Sequence, residues 1–386
     1  MTPAPAGRTR LLHSDELTRY DFGEDHPMAP GRVRHAVELA RSLGVLDAME
    51  VVEPPPADLE LVRSVHTDDY IDAVRLAVSD PRHGLGTTDN PVRPGMHEVS
   101  ARVLTATVAA ARAVWTGEVD RAVNISGGLH HAMPDRASGF CIYNDGAAAI
   151  RWLLDQGCER VAYVDVDVHH GDGVQAIFYD DPRVLTVSLH ETPQVLFPGT
   201  GFPTETGGPN APGSAVNLAL PPHTNDAGWL RAFEAVVPEA LAAFAPQVLI
   251  TQHGCDSHRH DPLADLELTV DGQRASYLRL SELADELCEG RWVATGGGGY
   301  AVVDVVPRAW AHLMAIAARQ PVEVSTPIPQ SWRDAVGERA PRAMGDGVDV
   351  GYTPITAGFD PASRLDQAIL ATRRAVFPEL GLDPGL

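Results

Sequence analysis

Strand-like and helix-like segments alternate along most of this chain, which predicts an α/β fold: a single open, mainly parallel sheet flanked by helices on both faces, three layers α/β/α. Two further observations point the same way. The candidate strands are short runs rich in valine, isoleucine and leucine, the composition of strands buried on both faces. Polar and glycine-rich clusters follow several of them directly, and open α/β sheets carry their sites at the carboxyl ends of their strands.

Residues 10–13 read as the first strand. Pro30-Gly31 then precedes a helix over 32–43, with Val33, Val37 and Ala40 on one face. Short helices follow at 58–65 and 68–78, and the Gly-, Pro- and Asp-rich stretch 79–94 is a loop. Met96–Trp115 is a long Ala/Val helix whose composition suits burial. Further strands are expected at 121–125, 160–168, 184–189, 215–220, 247–252 and 292–295. The intervening helices fall at 146–154, 171–179, 227–244, 271–288 and 302–318. Between 190 and 213 the chain is a long loop, and loops of that length in compact domains are usually functional. Residues 1–320 are read as one domain. Residues 321–386, Pro-rich and then amphipathic near 362–376, are a C-terminal extension packed on it.

The 386 residues carry a formal charge of -22, which argues against a nucleic-acid surface with its clustered Lys and Arg. The four cysteines, Cys141, Cys158, Cys255 and Cys288, lack both CxxC spacing and the density of a disulfide scaffold. The first ten residues hold no apolar signal-peptide core, and no uncharged apolar run reaches the roughly 20 residues that span a bilayer. A soluble, cytoplasmic protein with no membrane partner is expected.

The chemistry centres on residues 163–172, Tyr-Val-Asp-Val-Asp-Val-His-His-Gly-Asp. Period-two alternation puts Val164, Val166 and Val168 on one face and Asp165, Asp167 and His169 on the other. Burying those charges is costly without a partner, and a divalent cation is the simplest one. A half-exposed edge strand with a solvated acidic face is the alternative; Val161 and Ala162 favour a covered strand. Asp256, after the buried strand of Val248, Leu249 and Ile250, is a third candidate ligand that would leave a coordination position open. His253, His258 and His260 read as surface or packing residues. His130 and His131, framed by Gly127 and Gly128, are proton-transfer candidates or structural imidazoles, and Asp165 and Asp172 could each orient one. Gly296–Gly299 demands flexibility or close backbone approach, and Tyr300 either offers a phenol to a bound carbonyl or is a core tyrosine.

In their order along residues 8–320 these motifs resemble the histone deacetylase superfamily, and within it the bacterial acetoin-utilisation (AcuC-type) deacetylases. The matching residues include Asp25-His26-Pro27-Met28 with Arg32, Gly84-Leu85-Gly86 with Asp89, and Ser126–Ala132 with its two histidines. Ser138-Gly139-Phe140-Cys141, Asn144-Asp145, Asp165–Gly173, Phe197–Gly201, Gly254-Cys255-Asp256 and Gly297–Tyr300 complete the set.

The resemblance implies an arginase/deacetylase-like fold and metal-dependent removal of acyl groups from protein lysines. It implies that Asp167, His169 and Asp256 bind zinc, with iron(II) also accommodated. His130 and His131 would be the tandem histidines paired with Asp165 and Asp172, and Tyr300 the carbonyl-polarising tyrosine. Gly139, Phe140 and Phe197 would wall the substrate tunnel, Asp89 would hold the substrate at its rim, and Arg32 would line an inner cavity. Potassium would sit against Asp165, Asp167, His169, Ser188 and Leu189. A second monovalent site would involve Phe178 and Val184, but Asp181 and Ser214 depart from the usual pattern. Leu129 stands where the family usually has tryptophan. The implied partner is an acetylated protein, acetyl-CoA synthetase being one candidate. The rivals are an acetylpolyamine amidohydrolase with an acidic rim at Asp89 and Glu191, an arginase-like manganese hydrolase, and a non-catalytic acetyl-ligand sensor.

Overall fold

The computed structural model describes residues 8–385. Among them, eight strands form one sheet in the order β2-β1-β3-β8-β7-β4-β5-β6, with every neighbouring pair parallel. The strands are β1 (Thr9–Leu12), β2 (Glu50–Val52), β3 (Arg121–Asn124), β4 (Val161–Asp165), β5 (Val184–Glu191), β6 (Ala215–Leu220), β7 (Val248–Gln252) and β8 (Trp292–Thr295). The helices are α1 (Gly31–Ser42), α2 (Leu59–Arg63), α3 (Asp68–Leu76), α4 (Met96–Trp115), α5 (Asp145–Asp155) and α6 (Asp172–Phe178). The later ones are α7 (Asp226–Phe244), α8 (Val270–Leu287), α9 (Val306–Ala317), α10 (Gln330–Val336) and α11 (Arg364–Val376). No helix among the described residues is long and apolar enough to cross a membrane.

Strand alternation divides the core. Ala162, Val164 and Leu249 pack with Trp229, Leu280 and Trp310 of α7, α8 and α9, whereas Val161, Tyr163 and Ile250 pack with Val103, Ala147 and Val174 of α4, α5 and α6. Helices therefore cover both faces, as the alternating pattern requires. Val164, Val166 and Val168 do share one face.

Two departures have simple causes. The edge strand β2 is only three residues long and partly exposed, so it carries no apolar run to read. The central strand ends at Asp165 rather than 168, because the alternation continues into the loop beyond the last ladder pairs, Asp165 with Ser188 and Gln252. The consequence matters for the site. Strands β3, β8, β7 and β4 are consecutive in the sheet, so the loops leaving their carboxyl ends emerge side by side.

Residues from 321 onward reach back to these loops. Asp346 accepts from Arg308 Nη1 at 2.8 Å and Val270 N at 2.9 Å, and pairs with His258 Nε2 at 2.9 Å. Asp366 of α11 holds Arg231 of α7 through two contacts of 2.8 and 2.7 Å. The Asp346 carboxyl lies below its ordinary range, because His258, Arg308 and Val270 N outweigh the cost of burial. A depressed carboxyl stabilises the fold at neutral pH and loses that contribution only as pH falls into strong acid. Asp346→Ala should cost about 3 kcal/mol at pH 7 by urea denaturation, since Arg308 keeps only Asp304. A loss below about 1 kcal/mol would mean that the network contributes no more than a surface pair.

Candidate active site

The loop after β3 is shaped from below by the start of α5. Asp145, fully buried, accepts from Gly128 N at 3.0 Å and Leu129 N at 2.8 Å, while Thr107 donates to it at 2.6 Å. Asn144 caps α5 at Ala147 N and donates its amide to His130 O at 3.2 Å and Ala132 O at 3.0 Å. Gly128, at φ +91, passes so close to Gly296 O that no side chain could stand there.

Thus held, the two imidazoles face each other, Nε2 to Nε2 at 3.1 Å. His130 Nδ1 lies 2.7 Å from Asp165 Oδ2, and His131 Nδ1 lies 2.6 Å from Asp172 Oδ1. Their environments pull them apart. Burial opposes a charge on His130, but Asp165 and Asp167 outweigh it and lift the ring to about 9. Burial and the positive charge of His130 push His131 down to about 4. The two rings are thus biased in opposite directions, His130 towards the cation and His131 towards the free base.

Beside them Asp167, His169 and Asp256, all buried, offer one ligand atom each within 4.8 Å of one another. His169 Nδ1 is 3.1 Å from both Asp167 Oδ1 and Asp256 Oδ2. The outer oxygens are already bound: Gln252 Nε2 and Gly298 N donate to Asp167 Oδ2, each at 2.8 Å, and Val168 N donates to Asp256 Oδ1 at 3.0 Å. Burial and the charge of Asp167 push the Asp256 carboxyl up. Two dry carboxylates and an imidazole on one point are the donor set of a divalent cation with an open position, so the residues fit a catalytic metal. Gly254 and Gly298 each lack a side chain where a Cβ would strike Asp167 or Asp256.

The glycine loop after β8 is pinned by hydrogen bonds and makes close backbone approaches. Arg32, buried under the loop, donates to Gly299 O at 2.6 Å and to Gly297 O, and Cys255 N donates to Gly298 O at 3.0 Å. Tyr300 N donates to Asp261 Oδ2 at 2.7 Å. The Tyr300 ring, with Gly139, Phe140, Leu196, Phe197, Leu263 and Asp89, lines a cavity of about 220 Å³ whose floor includes His130, His131, Asp167 and His169. Phe140 sits at φ +67, a conformation costly for a bulky residue. Tyr20 secures it, donating to Phe140 O at 2.7 Å and accepting from Ile142 N at 3.1 Å.

A match to the histone deacetylase domain runs over residues 26–317. The chain belongs to the histone deacetylase family. It is 42% identical over 310 residues to the acetoin utilization protein AcuC of Bacillus subtilis (strain 168), covering 78% of this chain and 80% of that one. With the AcuC of Staphylococcus aureus (strain MSSA476) it shares 35% over 363 residues, 91% of this chain and 93% of the other. The AcuC of Staphylococcus xylosus is 36% identical over 332 residues, 84% and 86% of the two chains. A metal-dependent deacetylase follows from this membership and the triad.

The expected catalytic, substrate-binding and divalent-metal residues line this cavity or hold residues that do. Glu191 is no rim group: it is buried and accepts from Asp265 N at 2.8 Å, so Asp89 alone of the two expected acids lines the cavity. Ser188 takes Gly171 N at 3.4 Å beside Asp165, and Leu189 is buried next to it. Arg32 borders a second, inner cavity with Leu129 and Trp310. His253, His258 and His260 stay outside the triad, paired with Thr251, Asp346 and Asp304. Sequence reasoning gave no role to Gln252, Asn144, Asp145 or Asp261. Gln252 left a signal, as a polar residue closing a buried apolar strand.

Proposed function

We propose that this chain hydrolyses acetyl-lysine side chains of proteins, with Asp167, His169 and Asp256 holding zinc or iron(II) and a potassium ion against Asp165, Asp167, His169, Ser188 and Leu189. The observation that carries the reading is the pair of unlike imidazoles, 3.1 Å apart, beside that triad at the floor of a narrow cavity. When bound, the divalent ion supplies Lewis acidity for the amide carbonyl. His131, neutral and oriented by Asp172, takes a proton from water at Nε2, the nitrogen that faces His130, and returns one to the departing amine. His130, kept positive by its aspartates, balances the charge of the site. Tyr300 donates to the oxygen that gains charge, a contribution of about 2.7–4 kcal/mol. Phe140, Phe197 and Gly139 enclose the apolar stem, and Asp89 takes the substrate's main-chain amides at the mouth.

We assign residues 1–320 to the catalytic domain and 321–386 to an extension that braces it. We place the protein in the cytoplasm, where its substrate is an acetylated metabolic enzyme such as acetyl-CoA synthetase. The burial of Glu191 counts against a polyamine substrate, which needs an acidic rim. Turnover of an acetyl-lysine peptide and of acetylspermidine, before and after chelation, tests the reading. The peptide should be the better substrate, chelation should abolish its turnover, and added zinc or iron(II) should restore it. Preference for acetylspermidine would overturn the substrate, and full activity after complete metal removal would overturn the mechanism.

A further inference from the structure

Tyr300 follows four glycines, Gly296–Gly299, two of them at φ +155 and +124. Such a segment has no side chains to hold it, so the direction of the tyrosine depends on main-chain hydrogen bonds. Arg32 and Cys255 fix the glycine carbonyls. Tyr300 N itself donates to Asp261 Oδ2 at 2.7 Å. The other oxygen of the same carboxylate accepts from Leu263 N at 3.1 Å. Tyr300 and Leu263 both line the cavity. Asp261 is 8% exposed, and no lysine or arginine among the described residues pairs with it. Its own N–H donates to His258 O at 2.8 Å, in the turn that follows Asp256. A buried carboxylate without a cation is costly. An asparagine, with one acceptor oxygen, could serve only one of these two N–H groups.

We infer that Asp261 is a positioning residue for the reaction: its single buried carboxylate fixes the main chain of Tyr300 and of Leu263 together, aiming the tyrosine hydroxyl and one wall of the cavity from a common anchor. This rests on the role of Tyr300 proposed above. Asp261 itself does not touch the reacting atoms in this arrangement; it acts through the tyrosine. Its effect should therefore fall on kcat and disappear when the tyrosine hydroxyl is gone.

The test is a double-mutant cycle on an acetyl-lysine peptide, with metal content, Tm and amide exchange at Tyr300 measured alongside. Asp261→Ala should lower kcat about ten- to a hundredfold, as small misplacements of a catalytic group do, with KM within about threefold. Asp261→Asn should lose less. In a Tyr300→Phe background the same Asp261→Ala change should cost no more than about twofold to threefold, since the two act as one unit. Exchange of the Tyr300 amide should accelerate in Asp261→Ala at unchanged metal content. Where the alanine variant does not fold, the isosteric Asp261→Asn carries the same cycle. Equal losses in both backgrounds would reduce Asp261 to a structural residue and overturn the inference. Wild-type turnover in Tyr300→Phe would instead remove the proposed role of Tyr300, and with it the premise.

Discussion

His131→Ala is expected to lower kcat by about 10²- to 10⁴-fold, the range for loss of a positioned acid–base group, while metal content and Tm hold. The side chain is buried against Asp172 and Phe197 but ligates nothing in the triad. Its protonation sets the sign of the pH response. Burial and the His130 cation hold the imidazole near 4, well under its ordinary value, so the basic form persists through mildly acid solution. Activity should decline only as pH drops towards that value, not around 6.5. Asp172→Asn, which keeps the shape but offers Nδ1 a poorer acceptor, should raise the population of the wrong tautomer and fall between wild type and His131→Ala. A variant lacking the imidazole that turns over at the wild-type rate would move the base elsewhere, with His130 the next residue to test.

The fold was legible because its major strands are short, largely apolar segments, and several are followed by their own punctuation. Met96–Trp115 begins and ends as expected, since Gly95 before it and Thr116-Gly117 after it are clear boundaries. The site was legible for a related reason: its loops leave the carboxyl ends of neighbouring strands, and each carries an unusual residue pair, His130-His131, Asp167 with His169, or Asp256 after Gly254-Cys255. What stayed hidden were the residues acting at a distance in sequence. Asp145 binds Gly128 and Leu129 from the first turn of a helix, where an acidic residue reads as an ordinary complement to the helix dipole. Asp261 sits in a polar loop among histidines and aspartates, and only the position of Tyr300 N gives it meaning. Glu191 failed in the opposite sense. Next to a predicted loop it reads as exposed, yet β5 runs on through it and turns it inward.

Asp256→Asn is expected to abolish both metal retention and turnover, an effect larger than the roughly 10–100-fold typical of losing an outer hydrogen-bond partner. The same substitution should change the stability of the metal-free protein little, because it relieves the repulsion from Asp167 and gives up the pair with His169. The reason is the linkage of charge to folding. Burial and the neighbouring Asp167 raise the Asp256 carboxyl above its unfolded range, a cost at neutral pH, while Asp256 with Asp167 lifts His169 to about 10, which returns part of it. Asparagine removes that charge and can still accept from Val168 N through its oxygen. Loss of metal without loss of Tm separates a functional carboxylate from a structural one such as Asp346, whose removal should lower Tm. Elemental analysis of the wild type should find one divalent ion per chain, against the two that an arginase-like site would need. Should Asp256→Asn keep a full equivalent of metal and wild-type activity, the ligand set would have to be rebuilt without the β7 loop, and the four neighbouring strand ends would no longer account for the site.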